Sequence, residues 1–290
     1  MRIRALAKLN LGLWVGQKRC DGYHSVVTTM VPIQLHDDVS VRLTRSGISV
    51  STNNLSTPTG TANIAHRAAA AFLSAADYRG GCRIRITKRI PIGAGLGGGS
   101  SDAAATIRVL NRLLGSPLAL PALQKVASSI GSDVPFFLNP RPCVARGRGE
   151  LLRRVRLPSL KVILCYPGYP ILPSWAYAAL SRLRQIAPGL TSPQPSPKIL
   201  CLSLRRGELG RVAKLLHNSF EAVLVRHYPE IARIKKIMLE HGAFAASLSG
   251  SGSTVYGLVH ERGWQDPMAA LKRHGFHPIL TQTIATVDDY

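Results

Sequence analysis

The sequence is short of cysteine, of acidic residues and of long hydrophobic segments, and each shortage excludes a class of protein. Its 290 residues include five cysteines, an odd number, spaced too widely for C-x-x-C metal pairs. We therefore expect buried free thiols and no zinc site. No apolar run approaches the roughly 18 residues of a membrane-spanning helix, and the first residues lack the apolar stretch of a secretory signal. We expect a cytoplasmic protein with no membrane partner.

Acidic residues are outnumbered by basic ones. The chain has 15 Asp and Glu against 37 Lys and Arg, a formal net charge of +22, which suggests an anionic partner. The basic residues are spread along the chain, with a denser patch from 141 to 156, and neither zinc-finger spacing nor an aromatic RNA-binding strand accompanies them. We therefore expect attraction of multiply charged small molecules and consider nucleic-acid binding unlikely. A basic, non-enzymatic nucleic-acid-binding protein remains the disfavoured alternative.

A glycine-rich segment, Pro91 to Asp102, carries the clearest chemical signal. It has five glycines between 93 and 99 and leads directly into Ala103-Ala104-Ala105. The residues before it, 82–87, alternate apolar and polar side chains, and the residues after it contain no helix breaker through Leu114. The order is strand, glycine loop, helix, with Ser100 or Ser101 expected as the helix cap. Such a loop gathers backbone N–H groups and a helix N-terminus around an anion, so we expect it to bind nucleotide phosphates.

Three common phosphate loops do not match this segment. A P-loop needs a lysine before its Ser or Thr, and Ser100 follows Gly99 directly. A dinucleotide-binding loop needs an acidic residue about 20 residues later, and residues 116–119 contain none. The protein-kinase loop lies between two strands, and the chain has neither an H-R-D nor a D-F-G segment.

Strand-like and helix-like segments alternate along the chain, which predicts a mixed fold, and the length and 46% hydrophobic content suffice for two domains. Strand-like segments lie near 2–7, 26–34, 39–51, 83–87, 161–166, 254–259 and 279–286. Helical segments lie near 62–76, 101–115, 121–130, 174–184, 207–225, 229–241 and 265–274. The Pro- and Ser-rich segment 187–197 is expected to be a surface loop. A domain boundary is expected near 150–158.

Three motifs together resemble those of the GHMP kinases, the family of galactokinase, homoserine, mevalonate and phosphomevalonate kinases. Residues 91–104 resemble its phosphate motif, residues 7–13 its first motif and residues 247–253 its third, in the family's order. The resemblance implies two α+β domains with the active site in the cleft between them. The N-terminal domain, 1–152, would resemble domain 2 of ribosomal protein S5, and the C-terminal domain, 153–290, would be ferredoxin-like.

Two further segments resemble one branch of that family. These are Asp21-Gly22-Tyr23-His24 and the run from Gly131 to Phe137. The resemblance implies ATP- and Mg²⁺-dependent phosphorylation of the 2-hydroxyl of 4-diphosphocytidyl-2-C-methyl-D-erythritol, a cytidine diphosphate substrate of isoprenoid biosynthesis. Another small-molecule kinase of the family, of the homoserine or mevalonate type, stays open as the alternative. We expect a monomer or a weak dimer.

Few residues can take the proton of an acceptor hydroxyl. Only seven acidic residues precede residue 151, and Asp133 stands between a helix end at Gly131 and a turn at Val134-Pro135. The resemblance assigns Asp133 the role of general base. Its structural alternative is to cap a short helix starting at Pro135. Lys8, in an otherwise apolar strand, is the expected electrostatic partner of Asp133.

The remaining candidate residues are assigned by motif. Expected nucleotide-binding residues are Pro91, Gly93, Ala94, Gly95, Leu96, Gly97, Gly98, Gly99, Ser100, Ser101, Asp102 and Asn63. Expected substrate-binding residues are Asn10, Tyr23, His24, Trp175 and Tyr177, of which the aromatic side chains would stack on cytosine. Ser101 is the hydroxyl expected to ligate magnesium.

The chain departs from the family's pattern at three places. Pro173 stands where a threonine is usual, Ser253 where a proline is usual, and residues 139–142 where glycines are usual. Because of the first departure, one polar contact to the substrate is expected to be missing. An aromatic contact from Trp175 or Tyr177 would replace it, although Trp175 fits a helix core equally well.

Overall fold

A computed structural model describes residues 1–186 and 196–285, and most of the predicted loop 187–197 lies outside them. Helices and two β-sheets alternate along the chain, which confirms the expected α+β class. One sheet uses strands up to Arg154, and the other uses strands from Lys161 onward. The exact domain boundary stays a prediction.

The first sheet has six strands in the order β3-β4-β2-β5-β6, with β1 paired to β2. Its strands are β1 (Arg2–Lys18), β2 (His24–Thr44), β3 (Ile48–Thr52), β4 (Gly81–Thr87), β5 (Cys143–Arg146) and β6 (Leu151–Arg154). Its helices are α1 (Ile64–Ala75), α2 (Gly98–Leu113), α3 (Leu120–Ile130) and α4 (Val134–Leu138). All pairs in this sheet are antiparallel except β3 with β4.

Alternating side chains explain why one face of this sheet is covered by helices. Ile84 and Ile86 of β4 and Val41 of β2 lie in one buried cluster with Phe72 of α1 and Ala104 of α2. The intervening residues of β4 are exposed arginines. Burial of the apolar face therefore fixes the register of the strands and places α2, with the glycine loop before it, over the sheet.

The strand predictions were wrong in extent. The two strands expected near 26–34 and 39–51 are one long strand, β2, followed by the short β3, and β1 extends eleven residues beyond its predicted end at residue 7. Register shifts along the β1–β2 pair allow both strands to curve through this length. The resulting long hairpin reaches from the first sheet to the second domain.

The second sheet has four strands in the order β10-β7-β9-β8, all antiparallel. They are β7 (Lys161–Cys165), β8 (Ala245–Leu248), β9 (Val255–Val259) and β10 (Pro278–Gln282). The helices of this half are α5 (Pro173–Ile186), α6 (Pro197–Arg206), α7 (Leu209–Leu215), α8 (Glu221–His227), α9 (Pro229–Glu240) and α10 (Gln265–Arg273).

The helix predicted over 207–225 is wrong, because residues 216–220 separate α7 from α8. Leu13 of β1 donates its N–H to the carbonyl of His217 and accepts from the N–H of Ser219. The amide of Asn218 donates to the carbonyls of Leu248 and Gly250, each at 2.8 Å. These bonds replace helical ones and fasten the second half of the chain to β1 beside a deep cleft.

Candidate active site

A cavity of about 1040 Å³ lies between the two halves of the molecule. Its walls come from β1, β2, the glycine loop, the start of α4, the start of α5 and the third motif. The predicted site residues that line it are Lys8, Asn10, Tyr23, His24, Asn63, Pro91, Gly93, Ala94, Gly95, Leu96, Gly97, Gly98, Gly99, Ser100, Asp102, Asp133 and Tyr177.

Two glycines of the loop have no room for a side chain. Gly95 has φ of +76°, and a Cβ there would lie 2.0 Å from the carbonyl oxygen of Ser249. Gly97 has φ of +72°, and a Cβ there would lie 2.8 Å from the ring of Phe137. Left-handed backbone and close approach both select glycine. The phosphate motif is therefore packed directly against the third motif and α4.

The carbonyl oxygens of the loop are bound to the protein, whereas the first N–H groups of α2 are not. Each carbonyl from Gly93 to Leu96 accepts one hydrogen bond from outside the loop; the donors, in order, are Ile171 N, Thr254 N, Ser249 Oγ and Lys8 N. The first bond of α2 runs from Ser101 N to Gly97 O. The N–H groups of Gly98, Gly99 and Ser100 thus have no partner within the helix and are suited to bind an anion.

Lys8 and Asp133 meet in the cavity although 125 positions separate them in the sequence. The Nζ of Lys8 lies 3.8 Å from Oδ2 of Asp133. The lysine side chain is 5% exposed and the carboxylate 37% exposed. Burial lowers the pKa of Lys8, and the charge of Asp133 opposes that shift. The ammonium also bonds to Oδ1 of Asn10, whose amide donates to the hydroxyl of Thr28 at 2.8 Å.

Asp133 precedes α4 at its N-cap position, but its side chain makes no capping hydrogen bond. The capping alternative therefore has no support in the geometry. The carboxylate faces the cavity beside Lys8 instead. A carboxylate that is held next to an ammonium and is open to a ligand can accept a proton from a bound hydroxyl.

Aromatic side chains gather at the other end of the cavity. The rings of His24 and Tyr177 stack with centroids 5.1 Å apart. The guanidinium of Arg148 lies 4.8 Å from the centroid of the Tyr23 ring, which is itself 52% exposed. Burial lowers the pKa of His24, with the charges of Arg184 and Lys18 acting in the same direction. Flat, neutral rings of this kind suit an aromatic base.

The hydrogen bonds around His24 fix its tautomer. Ser181 Oγ donates to the carbonyl of Tyr177 at 3.0 Å, so it must accept the 2.9 Å bond from Nε2 of His24. We assign the proton to Nε2 on this basis. The Nδ1 atom is then an acceptor.

Two predicted site residues lie outside the cavity. Ser101 is 2% exposed and is not among the lining residues, because α2 begins at Gly98 rather than at 101 and neither predicted serine is its cap. Trp175 lies on the opposite side of α5 from Tyr177, packed edge-on against His227 and Tyr228. Side chains two residues apart on a helix point in directions about 200° apart, so the two rings cannot both face the cavity.

A buried charge cluster next to the loop was not predicted. Lys88 Nζ bonds to Oδ2 of Asp37 at 2.5 Å and to Oδ2 of Asp102 at 2.8 Å. Burial raises the pKa of Asp102 to about 7, against the lowering effect of Lys88. Lys88 and Asp102 line the cavity. The signal in the sequence was a lysine three residues before the glycine-rich segment and the aspartate that ends that segment.

Two cations at the aromatic end of the cavity were also not predicted from the sequence. Lys18 and Arg148 line the cavity with Tyr23. Each lies in a segment with other basic residues, and no motif or spacing in the sequence distinguishes it from them. Only the folded hairpin and the turn after β5 bring them together.

The residues present fit a magnesium ion that is carried in by phosphates. In the described part of the chain no group of three or more His, Cys, Asp or Glu side chains could hold a metal by itself. Ser100, not Ser101, offers a hydroxyl to the cavity beside the free N–H groups. Magnesium commonly takes few protein ligands and completes its shell with phosphate oxygens and water.

Comparison with known proteins identifies the family. Residues 63–140 match the model of the GHMP kinases N-terminal domain, and residues 201–270 match that of the GHMP kinases C-terminal domain. The 4-diphosphocytidyl-2-C-methyl-D-erythritol kinase of Pelotomaculum thermopropionicum is 38% identical over 278 residues, 95% of each chain. The part of the chain that the structure describes contains no helix both long and apolar enough to span a bilayer.

Solved structures give the same result. A crystal structure of 4-(cytidine 5'-diphospho)-2C-methyl-D-erythritol kinase superposes with a TM-score of 0.81 at 35% identity, covering 98% of this chain and 99% of that one. A homoserine kinase from Cytophaga hutchinsonii superposes with a TM-score of 0.71 at 17% identity, covering 97% and 94%. The second likeness concerns the fold alone.

Proposed function

The chain belongs to the 4-diphosphocytidyl-2-C-methyl-D-erythritol kinases of the GHMP family, and from this premise we propose that it transfers the γ-phosphoryl group of ATP to the 2-hydroxyl of that cytidyl substrate. The observation that carries the proposal is that one cavity holds three parts: the glycine loop, the Lys8–Asp133 pair and the aromatic end. A phosphate donor, a proton acceptor and a base-binding surface are the three requirements of this reaction.

At the nucleotide end, the phosphates of ATP would lie against the N–H groups of Gly98, Gly99 and Ser100. The positive end of the α2 dipole favours negative charge there, and the ammonium of Lys88 offsets the carboxylates of Asp37 and Asp102 beside it. The four loop carbonyls are held by the protein, so they do not turn toward the phosphates. The backbone is thus arranged for an anion before ATP arrives.

At the reacting centre, the carboxylate of Asp133 would take the proton from the 2-hydroxyl. The hydroxyl oxygen then forms a bond to the γ-phosphorus while the bond from that phosphorus to the β–γ bridging oxygen breaks, and ADP leaves with the electron pair. Lys8 stands 3.8 Å from the base, where its charge stabilises both the carboxylate and the oxygen that loses its proton. Asn10 holds the ammonium in place through Oδ1.

At the substrate end, cytosine would stack near Tyr23, His24 and Tyr177. The Nδ1 acceptor of His24 suits the amino group of cytosine, which is a donor. Lys18 and Arg148 would neutralise the diphosphate. Of the two aromatic candidates on α5, Tyr177 lines the cavity and would supply the aromatic contact, while Pro173 lines it without a side-chain donor.

Magnesium would accompany ATP, with the hydroxyl of Ser100, which lines the cavity at the start of α2, as the candidate protein ligand. When bound, it neutralises the β- and γ-phosphate charges.

The compartment that we propose is the cytoplasm, because all five cysteines are free thiols and free thiols persist where the medium is reducing. A monomer or weak dimer remains our expectation for the oligomeric state.

The test is release of ADP from ATP and magnesium with three separate acceptors: the cytidyl substrate, mevalonate and homoserine. We expect turnover with the cytidyl substrate alone. Turnover with either other alcohol in its place would assign the chain a sister activity and overturn the proposed substrate.

A further inference from the structure

The outer face of the first sheet collects arginines that are far apart in the sequence. On β4, Arg83 and Arg85 alternate with buried residues and point away from the helices. Arg42 of β2 lies directly opposite Arg83 in the antiparallel register. All three are exposed. We call these three residues, with the serines between them, the arginine face.

The rest of the arginine face is small and polar. Ser40 lies opposite Arg85 on β2, and Ser49 and Ser51 lie opposite Arg83 and Arg85 on β3. No aromatic or aliphatic side chain points outward between the arginines. The face is therefore cationic and without an apolar anchor.

The charges of the arginine face are not balanced by the protein. Among the described residues, Arg42, Arg83 and Arg85 form no ion pair. The neighbouring carboxylate, Asp38, is occupied by Arg2 at 2.8 Å and Arg89 at 2.7 Å. Like charges directly opposite on paired strands destabilise a sheet. The Arg42–Arg83 pair thus has a repulsion that no ion pair in the described part of the chain offsets, and an anionic partner would relieve it.

We propose that the arginine face binds the phosphate backbone of duplex nucleic acid without sequence preference, as an activity separate from the kinase site. Neighbouring strands are about 4.8 Å apart and alternate residues on one strand about 6.8 Å apart. Each strand of a duplex presents about one phosphate per 3.4 Å of the axis, so a cationic patch of these dimensions meets two or three phosphates of the facing strand. Guanidinium groups bind phosphate through paired hydrogen bonds.

Two features favour a duplex over other polyanions. Single-stranded nucleic acid is held largely by stacking on aromatic rings, and the arginine face has none. Peripheral membrane binding adds buried apolar side chains to charge, and the face has none of these either. The net charge of +22 attracts any polyanion at long range. The arginine face supplies a specific surface where a duplex would bind.

The arginine face has no signature in the sequence. Positions 42, 83 and 85 are distant along the chain, and only the β2–β4 register makes them neighbours. None of the three lines the catalytic cavity. Binding at the arginine face should therefore leave phosphoryl transfer unchanged.

The test compares three proteins by fluorescence anisotropy with a labelled random-sequence DNA duplex of about 20 base pairs, from about 50 to 200 mM KCl. They are the wild type, the face variant Arg42→Gln/Arg83→Gln/Arg85→Gln, and a control variant Arg226→Gln/Arg262→Gln/Arg273→Gln. The control removes the same charge from exposed arginines of the second domain. Vesicles of phosphatidylglycerol and phosphatidylcholine serve as the competing polyanion.

We expect the face variant to bind the duplex at least tenfold more weakly than wild type. Its slope of log affinity against log salt concentration should be shallower by about 2.7, because each of three lost phosphate contacts contributes about 0.9. The control variant should stay within about threefold of wild type. Arg42→Lys/Arg83→Lys/Arg85→Lys should keep the salt slope, because it keeps the charges. Kinase activity of each variant reports whether it has folded.

Three results would overturn the proposal. They are no duplex binding by the wild type at about 50 mM salt, equal losses in the face and control variants, and a face-dependent affinity for the vesicles but not for the duplex. The second would show that binding follows net charge alone. The third would assign the arginine face to a membrane.

Discussion

The carboxylate of Asp37 lies 2.5 Å from the ammonium nitrogen of Lys88, at the point where the chain enters the phosphate loop. The same carboxylate accepts the backbone N–H groups of Arg89 at 2.5 Å and Ile90 at 2.8 Å. Asp37 is fully buried. One side chain on β2 thus fixes three consecutive residues before the loop, and Lys88 extends the connection to Asp102 in the helix after it.

Replacing Asp37 should weaken ATP binding more than it slows the chemical step. In Asp37→Ala the N–H groups of Arg89 and Ile90 lose their acceptor. A buried donor left without a partner costs roughly 1–3 kcal/mol of stability. Asp37→Asn keeps an acceptor oxygen and should lose less. We expect the KM for ATP to rise about tenfold or more in Asp37→Ala, less in Asp37→Asn, with a smaller change in kcat.

Asp38→Ala is the matched control for this prediction, because it removes the neighbouring carboxylate while its partners, the exposed guanidinium groups of Arg2 and Arg89, remain in contact with water. Steady-state kinetics and thermal unfolding of the three variants decide the point. Equal KM values for ATP in Asp37→Ala and Asp38→Ala would contradict the role of Asp37.

Binding of the cytidyl substrate should depend on the protonation of His24. Burial holds the pKa of His24 below its ordinary value of 6.5, so the ring is neutral at neutral pH and Nδ1 accepts. As the pH falls through that lowered pKa, Nδ1 gains a proton and becomes a donor. We expect the KM for the cytidyl substrate to be constant from pH 8 to about 6.5 and to rise only below it. His24→Asn should abolish this acid-side rise, and a rise that persists in it would assign the titration elsewhere.

The cysteines should differ sharply in reactivity. The expectation of five buried thiols was right for four and wrong for Cys20, which is exposed. Burial raises the pKa of Cys82 to about 11 and those of Cys143 and Cys165 to about 12, so little thiolate forms at neutral pH. Titration with a thiol reagent at pH 7.5 should label one cysteine rapidly, and Cys20→Ser should remove it. A second rapidly labelled thiol in the native variant would contradict the burial of the others.

Local sequence was sufficient where spacing alone decides the structure. The glycine loop followed by α2, and the alternation in β4, were predicted from residues a few positions apart. The Lys8–Asp133 contact was expected from the family resemblance at Asp133 and from the cost of burying an unpaired lysine, since no periodicity relates residues on β1 and before α4. The third motif was recognised, but its packing against Gly95 required the fold.

The errors have physical causes that local patterns do not contain. Gly97 ends the loop in a left-handed conformation, which starts α2 three residues earlier than predicted and turns Ser101 away from the cavity. Tertiary hydrogen bonds of Asn218 interrupt a segment of helical pattern. The face that α5 turns toward the cavity carries Tyr177 and not Trp175. Which face that is depends on the residue at which the helix begins.

The most direct test of the central claim is the kcat of Asp133→Asn with ATP, magnesium and the cytidyl substrate, measured beside Asp77→Asn as a control at an exposed acidic residue outside the cavity. If Asp133 takes the proton, kcat should fall by about 10²–10⁴ while the KM for ATP stays within about twofold. The control should behave as wild type. A folded Asp133→Asn variant that keeps kcat within about tenfold of wild type would show that the base is another group.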